Sequence, residues 1–373
     1  MKKIVFVSLS IFPYLFFKQK DNIGGIGTQQ ILLGKIISDH GIKVAYITIG
    51  AKNNKLRVID NRLEVILACK SVKGIPVIRS LYPLAFKILQ AMKKTNGDVY
   101  IQMGAGFLTG IVALGCKILK KPFIFIAASD SNFDKKTIKR HFKIILRDRL
   151  SYLYGLKSAK EIVVQNNYQM KKLKENFKLN GRIIRNWVEI KNKRYKLDSK
   201  SNDILWVGSI SPVKRPNVAL DLAKQLPDFK FIFIGGSKQS DLNFFHEIKN
   251  LSEELNNVEV KGSVMDVSSY YIASKLLINT SHLEGFPITF LEAWSYGLPV
   301  VTLNIDPDNC ITKYKLGYVA KNIPKMKEKI AYLIKNNIMY QTISKNALNY
   351  VCDNHDVKKN SLKFIELINS IIK

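Results

Sequence analysis

Hydrophobic and polar positions alternate in blocks along this chain of 373 residues. Short apolar runs rich in Ile, Val and Phe are separated by longer stretches in which apolar residues recur at helical spacing. Buried parallel strands produce the first pattern, and amphipathic helices produce the second. The alternation therefore predicts an α/β protein built on parallel sheets.

The pattern forms two successive series. Strands of the first series are predicted at Ile4–Ser8, Lys43–Thr48, Glu64–Ala68, Asp98–Ile101, Pro122–Ala127 and Ile162–Gln165. Its helices are predicted after the GGIGT segment, which we interpret as a loop, and over Leu81–Lys94 and GAGFLTGIVALGCKILK. The second series has strands at ILWVGSI, FKFIFIGG, VEVKG, KLLINTS and PVVTLN, with helices at NVALDLAKQL, Asp241–Leu255, ITFLEAWSYG, Pro324–Lys335 and Asp356–Lys373.

The two series predict two Rossmann-like domains. We place an N-terminal domain at residues 1–190, a polar, lysine-rich linker at 191–202 and a second domain at 203–355. A C-terminal helix is predicted over residues 356–373, and one arrangement is that it packs back on the N-terminal domain. Because ligands of open α/β sheets bind beyond the carboxyl ends of the strands, we expect the two sheets to face each other across a cleft.

The charge balance is strongly basic, with 59 Lys and Arg against 29 Asp and Glu and a formal net charge of +30. Such a field favours polyanions, namely nucleic acid, an anionic membrane surface or phosphorylated small molecules. A bias of the genome's base composition toward Lys and Asn is an alternative source of the excess. The hydrophobic fraction of 47% excludes a disordered chain.

The four cysteines form no CxxC pair, which argues against a metal site or a disulfide framework and fits a reducing cytoplasm. The first residues, KKIVFVSLSIFPYLFF, have the charge and apolar run of a signal peptide. No small-residue cleavage site follows, and a buried first strand is the preferred interpretation. No other run is long enough to span a bilayer.

Three segments follow predicted strands and carry chemistry. Gly25 and Gly27, in GGIGT, would let backbone amides approach a phosphate ahead of a helix, although a flexible turn explains them too. In VGSISPVKRP, Lys214 and Arg215 would meet a diphosphate; the alternative is a solvated basic turn.

The third segment is SHLEGFPITFLEAWSYGLPVV, in which Glu284 lies in a turn and Glu292 in the following helix. Pro287 suits the start of that helix. Paired carboxylates accept hydrogen bonds from vicinal hydroxyls, as ribose and hexose recognition requires. In this interpretation, three residues between the two glutamates turn their backbone amides toward an anion, namely Gly285, Phe286 and Ile288.

This third segment resembles the E-x7-E signature of retaining glycosyltransferases of family 4, which have the GT-B fold. The stretch WVGSISPVKRPNVALDLAKQLPDFKFIFIGG is similar to the phosphate-binding segment of the same family, and GGIGT and RIIRNWVEI are similar more loosely. The resemblance is detailed over residues 200–305 and weaker over 1–190.

The resemblance implies that Glu284 contacts hydroxyls of the donor sugar, that Glu292 holds the ribose and that Lys214 neutralises the diphosphate. Ser209 stands where the family usually has an arginine, and Arg215 is the candidate for the missing charge. Many members have a histidine after the strand that corresponds to PFIFIAASD. Asp130 is our candidate for that place, with a helix cap or loop carboxylate as the alternative.

The implied reaction moves a hexosyl unit from a nucleotide-diphosphate sugar, and no cofactor is expected beyond this donor substrate. Asp306-Pro307-Asp308 spells a DxD motif, but we interpret it as a turn and predict no catalytic metal. In the absence of a clear carboxylate pair for double displacement, departure and attack on one face of the sugar is the default.

The acceptor is expected to be a glycan or a lipid-linked glycan of cell-surface polysaccharide synthesis. Leu81–Lys94 and the segment KKTIKRHFKIILRDRLSYLYGLKSAK combine cations with apolar residues, as interfacial segments do; core-facing helices with a basic outer side are the alternative. We therefore expect a cytoplasmic protein, peripheral on the inner face of the plasma membrane.

Other classes remain open from sequence alone. A sugar-nucleotide epimerase of similar fold would release a changed sugar nucleotide without an acceptor. A basic nucleic-acid-binding protein would explain the charge, but the chain contains no recognisable nucleic-acid module, and no specific nucleic-acid partner is expected. A degenerate transferase that serves as a partner subunit is a third possibility, because of Ser209 and the missing histidine.

Overall fold

The computed structural model describes residues 2–9, 11, 25–50, 57–60, 62–69, 80–141, 146–190, 201 and 203–372. The chain divides into two compact units. The first contains the N-terminal sheet and its helices together with the last helix, and the second extends over Trp187–Asp356. The predicted linker lies outside the described residues, apart from residue 201.

The first unit is built on one sheet. Its strands are β1 (Lys3–Val7), β2 (Lys43–Ile49), β3 (Arg57–Asp60), β4 (Leu63–Cys69), β5 (Val99–Met103), β6 (Phe123–Ile126), β7 (Glu161–Val164) and β8 (Arg182–Ile183). In the described residues the order is β3-β4-β2-β1-β5-β6-β7-β8, and every neighbouring pair is parallel except β3 with β4. The central strands β5 and β6 are buried along their whole length, which explains their continuous apolar runs.

In the described residues before 186, this unit has six α-helices. They are α1 (Gly25–Asp39), α2 (Phe86–Thr95), α3 (Phe107–Leu119), α4 (Lys135–His141), α5 (Leu146–Ser158) and α6 (Asn167–Phe177). One large core includes buried residues of α2, α3 and α5 together with those of β1, β5, β6 and β7. These three helices therefore share one layer against the sheet.

Two predictions in this unit are wrong in detail. The segment predicted as a glycine loop is helical from Gly25, so that Gly25 and Gly27 lie in the first turn of α1. The helix predicted from Leu81 begins at Phe86, because Tyr82 is extended (φ −137°, ψ 127°) and interrupts the irregular turn Ser80–Ala85. A residue before proline disfavours the helical region, and Pro83 follows Tyr82.

The second unit is a second parallel sheet. Its strands are β9 (Ile204–Val207), β10 (Phe231–Ile234), β11 (Val258–Val260), β12 (Leu276–Asn279), β13 (Val300–Thr302) and β14 (Gly317–Val319), in the order β11-β10-β9-β12-β13-β14. Strand β9 thus lies between β10 and β12, and all neighbouring pairs run parallel. The carboxyl ends of β9 and β12 are therefore adjacent.

Within residues 203–356, which the structure describes, this unit has seven α-helices: α7 (Pro216–Lys224), α8 (Leu242–Glu253), α9 (Ser268–Ala273), α10 (Ile288–Ser295), α11 (Cys310–Tyr314), α12 (Ile323–Lys335) and α13 (Asn337–Asn354). The sequence did not predict α13, which buries Tyr340, Ile343 and Ala347. Several asparagines weaken its intrinsic helix propensity, and packing on the second unit stabilises it instead.

The last helix, α14 (Val357–Ile371), belongs to the first unit and contacts α1. Phe364, Leu367 and Ile368 are buried on it, and Lys2 Nζ donates to Asn369 Oδ1 at 2.9 Å. Among the helices that the structure describes, none combines the length and the apolar composition needed to cross a bilayer.

Candidate active site

The loop after β9 carries the predicted cations. It leaves the sheet at Gly208, and Ile210 anchors it because the side chain is buried and its amide donates to the Gly236 carbonyl at 2.8 Å. Ser209 is exposed beside it. The Lys214 amide closes a turn on the Ser211 carbonyl at 3.0 Å, and Arg215 is left-handed (φ 53°) directly before α7.

A close backbone approach fixes the start of this loop. Gly235 follows β10 with a φ of +151°, and a Cβ on it would lie 1.7 Å from the Gly208 carbonyl oxygen. No side chain fits there, so glycine is required for the loops after β9 and β10 to pack together. The two glycines at the end of FKFIFIGG thus hold in place the loop after β9, which carries Lys214 and which we call the lysine loop.

The loop after β12 is tied to the lysine loop by three hydrogen bonds. Thr280 Oγ1 lies 3.0 Å from the Lys214 carbonyl oxygen and 2.8 Å from the Arg215 carbonyl oxygen. The same hydroxyl also accepts a hydrogen bond from Trp206 Nε1, on β9, at 3.2 Å. The His282 amide donates to the Val213 carbonyl at 2.9 Å. Thr280 is fully buried, so this cross-link is shielded from water.

The cross-link brings Lys214 and Glu284 together. Lys214 Nζ donates to Glu284 Oε1 in an ion pair, and Ser281 Oγ donates to the same oxygen at 2.8 Å. The side chains are 28% and 13% exposed, respectively. Opposite charges in this largely buried position hold each other in place.

Glu292 has a separate setting on α10. It accepts a hydrogen bond from Tyr271 Oη at 2.9 Å. Burial, reinforced by the negative charge of Glu292, raises the pKa of Tyr271 well above its usual range. The Tyr271 ring stacks on Tyr296 with their centroids 5.6 Å apart.

The residues between the two glutamates lead into α10. Pro287 precedes the helix directly, as expected, and Gly285 is partly exposed. Phe286 is buried, and its ring contacts Trp294 and His355 with centroids 6.4 Å and 4.9 Å away. A role for Phe286 toward a ligand is therefore restricted to its backbone. Ile288 is the first residue of the helix.

Asp130 lies in the first unit, after β6. Its Oδ1 accepts from Asn166 Nδ2 and from Gln169 Nε2, each at 3.0 Å. Asn166 caps α6 by accepting from the Gln169 amide at 2.7 Å. The carboxylate thus joins the segment after β6 to the start of α6, and neutral amide donors hold it in position.

The remaining predictions concern metals and phosphate loops. Asp306 accepts from the Ile311 amide at 2.8 Å and from Thr312 Oγ1 at 2.6 Å, which makes it a cap for α11, in keeping with the predicted turn. Within the described residues, no three His, Cys, Asp or Glu side chains are grouped as metal ligands.

The predicted glycine segment of the first unit lies at the start of α1. Gly27 is buried in α1, whereas Gly25 is exposed.

Sequence reasoning missed several functional neighbours. Thr280 and Ser281 directly follow β12, so their position after a strand was a usable signal. Asn166 offered the same signal, because it directly follows the strand predicted at Ile162–Gln165. Tyr271 and Gln169 had no comparable signal, because each lies inside a helix and reaches its carboxylate from a different segment of the chain.

Comparisons with known proteins agree with this geometry. Residues 188–350 match the family model of glycosyl transferases group 1. An uncharacterized glycosyltransferase of Haemophilus influenzae is 24% identical over 358 residues, which cover 92% of this chain and 94% of that one. The UDP-Gal:alpha-D-GlcNAc-diphosphoundecaprenol alpha-1,3-galactosyltransferase of Escherichia coli is 26% identical over 48% of each chain.

Among solved structures, HepE from Anabaena in complex with UDP and glucose superposes with a TM-score of 0.72, at 16% identity, over 99% of this chain and 100% of that one. The two parallel sheets and this match confirm the predicted α/β class with the GT-B fold. Together with the family model, the comparisons support a glycosyltransferase of group 1.

Proposed function

We propose that the chain moves a hexosyl unit, with retention of its anomeric configuration, from a nucleotide-diphosphate sugar to a hydroxyl of a glycan or lipid-linked acceptor. The observation that carries this proposal is the ion pair between Lys214 and Glu284 at the carboxyl ends of two adjacent strands. A cation and a carboxylate side by side match a donor whose diphosphate is anionic and whose sugar presents hydroxyls.

Donor binding exchanges partners within this pair. Lys214 Nζ turns from Glu284 to a phosphate oxygen, and the released carboxylate accepts hydrogen bonds from the sugar hydroxyls. Ser281 keeps Glu284 oriented during the exchange, since it donates to the same carboxylate. The buried Thr280 holds the lysine loop, so the exchange needs side-chain movement only.

The other predicted donor contacts surround this pair. Arg215 and Ser209 lie in the same loop as Lys214 and are proposed to face the diphosphate, as are the amides at the start of α10. Glu292 is the proposed ribose ligand, with Tyr271 fixing the carboxylate. Gly25 and Gly27 remain proposed contacts of the first unit.

The proposed reaction needs no metal ion. As the bond between the anomeric carbon and the diphosphate breaks, negative charge develops on the leaving phosphate, and Lys214 and Arg215 stabilise it. The acceptor oxygen forms its bond on the same face of the sugar, and its proton passes to a base. Asp130 is the candidate residue of the first unit for orienting the acceptor or receiving this proton.

We place this activity in bacterial cell-surface polysaccharide synthesis, on the cytoplasmic side of the plasma membrane. The E. coli relative is named for transfer to a sugar linked to diphosphoundecaprenol, and a lipid-linked acceptor is proposed for this chain as well. Residues 1–190 are proposed to serve the acceptor and residues 203–355 the donor.

A thermal-shift panel of UDP-, GDP- and ADP-sugars tests the donor proposal. A ligand present at 100 times its Kd stabilises the folded state by about 2.7 kcal/mol, which raises the unfolding temperature measurably. We expect a selective shift for one nucleotide class in the native chain and a much smaller shift in Lys214→Ala.

The matched control is Lys261→Ala. Lys261 forms an ion pair with Glu259 on β11, at an exposed site elsewhere in the same unit. Its removal should leave the nucleotide shift intact. Equal shifts in both variants, or none in the native chain, would contradict the donor site proposed here.

A further inference from the structure

The outer side of the helix pair α3 and α5 exposes large apolar side chains together with lysines. Their backbones pack closely, since a Cβ on Gly110 would lie 2.2 Å from Ser151 Oγ and one on Gly155 would lie 2.5 Å from the Thr109 carbonyl oxygen. Their inner sides enter the core of the first unit, with Cys116 on α3 and Tyr152 on α5. Their opposite sides therefore form one solvent-facing surface.

Large apolar side chains lie on that surface. On α3, Leu114 and Ile118 are exposed, and on α5, Leu146, Leu150 and Tyr154 are exposed. Within each helix they follow each other at intervals of four residues, so each set forms a stripe. Exposed fractions reach 63% at Ile118 and 58% at Leu150. We call these five residues the apolar outer face.

Cations accompany this face. Lys117 and Lys120 lie on and directly after α3, and Lys157 lies on α5; all three are exposed. In these two helices, the acidic residue is Asp148, and it is bound to its neighbour Arg147 at 2.7 Å. The outer side of these two helices thus combines apolar stripes with an excess of positive over negative charge.

We infer that the apolar outer face is the surface by which this protein docks on an anionic lipid bilayer. Apolar side chains that enter the acyl boundary and lysines that meet lipid phosphates are the two components of interfacial binding. A protein partner is the less suitable occupant, because the core of protein interfaces is depleted of lysine.

This inference deepens the proposed lipid-linked acceptor and rests on that part of the proposed function. It also differs from the sequence-based choice of interfacial segments, which stays a prediction. Helix α3 was not among them, yet it carries Ile118; in the Leu81–Lys94 segment, the exposed aromatic pair Tyr82 and Phe86 precedes or begins the helix.

The test is cosedimentation of the full chain with vesicles of phosphatidylglycerol and phosphatidylcholine, compared with vesicles of phosphatidylcholine alone. We expect binding to the anionic vesicles that weakens as salt is added. The double variant Ile118→Ser/Leu150→Ser should lower the partition coefficient by roughly tenfold or more, since each removed side chain contributes through its buried apolar area.

The matched control is Ile338→Ser, which removes an isoleucine that is 82% exposed on α13 in the second unit. It should bind the vesicles as the native chain does. Because all three positions are exposed, the unfolding temperatures should stay close to that of the native chain, and circular dichroism verifies this.

Two outcomes would overturn the inference. The double variant would bind like the native chain if another surface docks. Alternatively, the native chain would dimerise on a sizing column and the double variant would not, which would assign the face to a second copy. Donor binding by thermal shift separates this inference from the proposed activity: the double variant should keep it, and Glu284→Gln should keep vesicle binding.

Discussion

The carboxyl edges of the two sheets use different chemistry. In the second unit, the side chains that follow β9 and β12 are charged and paired, as Lys214 with Glu284. In the first unit, a run of amide side chains follows β7, and the carboxylate of Asp130, which comes after β6, is held by Asn166 and Gln169. A charged edge suits a diphosphate, whereas an amide-rich edge suits neutral hydroxyls. The contrast supports the proposal that the second unit binds the donor and the first unit serves the acceptor.

The most severe test of this contrast is Glu284→Gln. The amide keeps the size of the carboxylate but neither neutralises Lys214 nor accepts hydroxyls with full charge. We expect the transfer rate to fall by roughly 10³-fold, the range seen when one transition-state contact is removed. Glu259→Gln, at the exposed ion pair with Lys261, is the control and should leave the rate unchanged. A Glu284 variant of native activity would break the comparison.

The backbone contact beneath the charged edge gives the next largest effect. Gly235→Ala should destabilise the protein by about 3 kcal/mol, because its Cβ overlaps the Gly208 carbonyl oxygen and overpacking has costs of this size. It should also weaken donor binding, since the lysine loop must move. Chemical denaturation and thermal shift measure the two effects.

Gly262→Ala is the matched control for this substitution. Gly262 also has a positive φ, of +66°, but a Cβ there meets nothing within 4 Å. The left-handed backbone alone should cost about 1 kcal/mol. Equal losses in the two variants would show that the contact with Gly208 is not what holds the loop.

Asp130→Asn tests the amide-rich edge. Hydrogen bonds to a charged group contribute about 1.5–3 kcal/mol, so we expect the free energy of unfolding to fall by about 2 kcal/mol. If Asp130 also serves the acceptor, kcat should fall by at least about tenfold while the KM for the donor stays constant. Unchanged kcat would restrict Asp130 to anchoring α6. Asp134→Asn, at the neighbouring Thr137 contact, is the control for the kinetic effect.

The smallest expected effect comes from Tyr271→Phe. Loss of the hydrogen bond to Glu292 should weaken donor affinity by about tenfold, which corresponds to about 1.4 kcal/mol. Tyr340→Phe is the control. It should leave the free energy of unfolding unchanged or slightly higher, because the Tyr340 hydroxyl is buried and has no hydrogen-bond partner within the described structure. Isothermal titration and thermal unfolding compare the two variants. Equal donor affinity in both would remove Tyr271 from the site.

Much of this architecture was predictable because periodicity reports burial directly. Strands such as Phe231–Ile234 are buried on both faces, and their apolar runs show it. The proximity of Lys214 and Glu284 was equally accessible, since each follows a strand and neighbouring parallel strands end at one edge. Helix α13 escaped prediction because tertiary packing, rather than local propensity, stabilises it.

Other parts of the site depend on contacts between distant segments. Tyr271 reaches Glu292 across 21 residues, and Gln169 reaches Asp130 across 39. A single sequence contains no periodic signal for such pairs. The requirement for glycine at position 235 likewise follows from the position of a neighbouring backbone rather than from its own segment.

The placement of α14 has a consequence for biosynthesis. This helix packs in the first unit, yet the whole second unit precedes it in the chain. Its buried side includes Phe364 and Leu367, and Lys2 at the other end of the sequence bonds to it. An emerging polypeptide therefore cannot complete its first unit until residues 357–371 have been translated, so maturation of the first unit waits for the second unit to be synthesised.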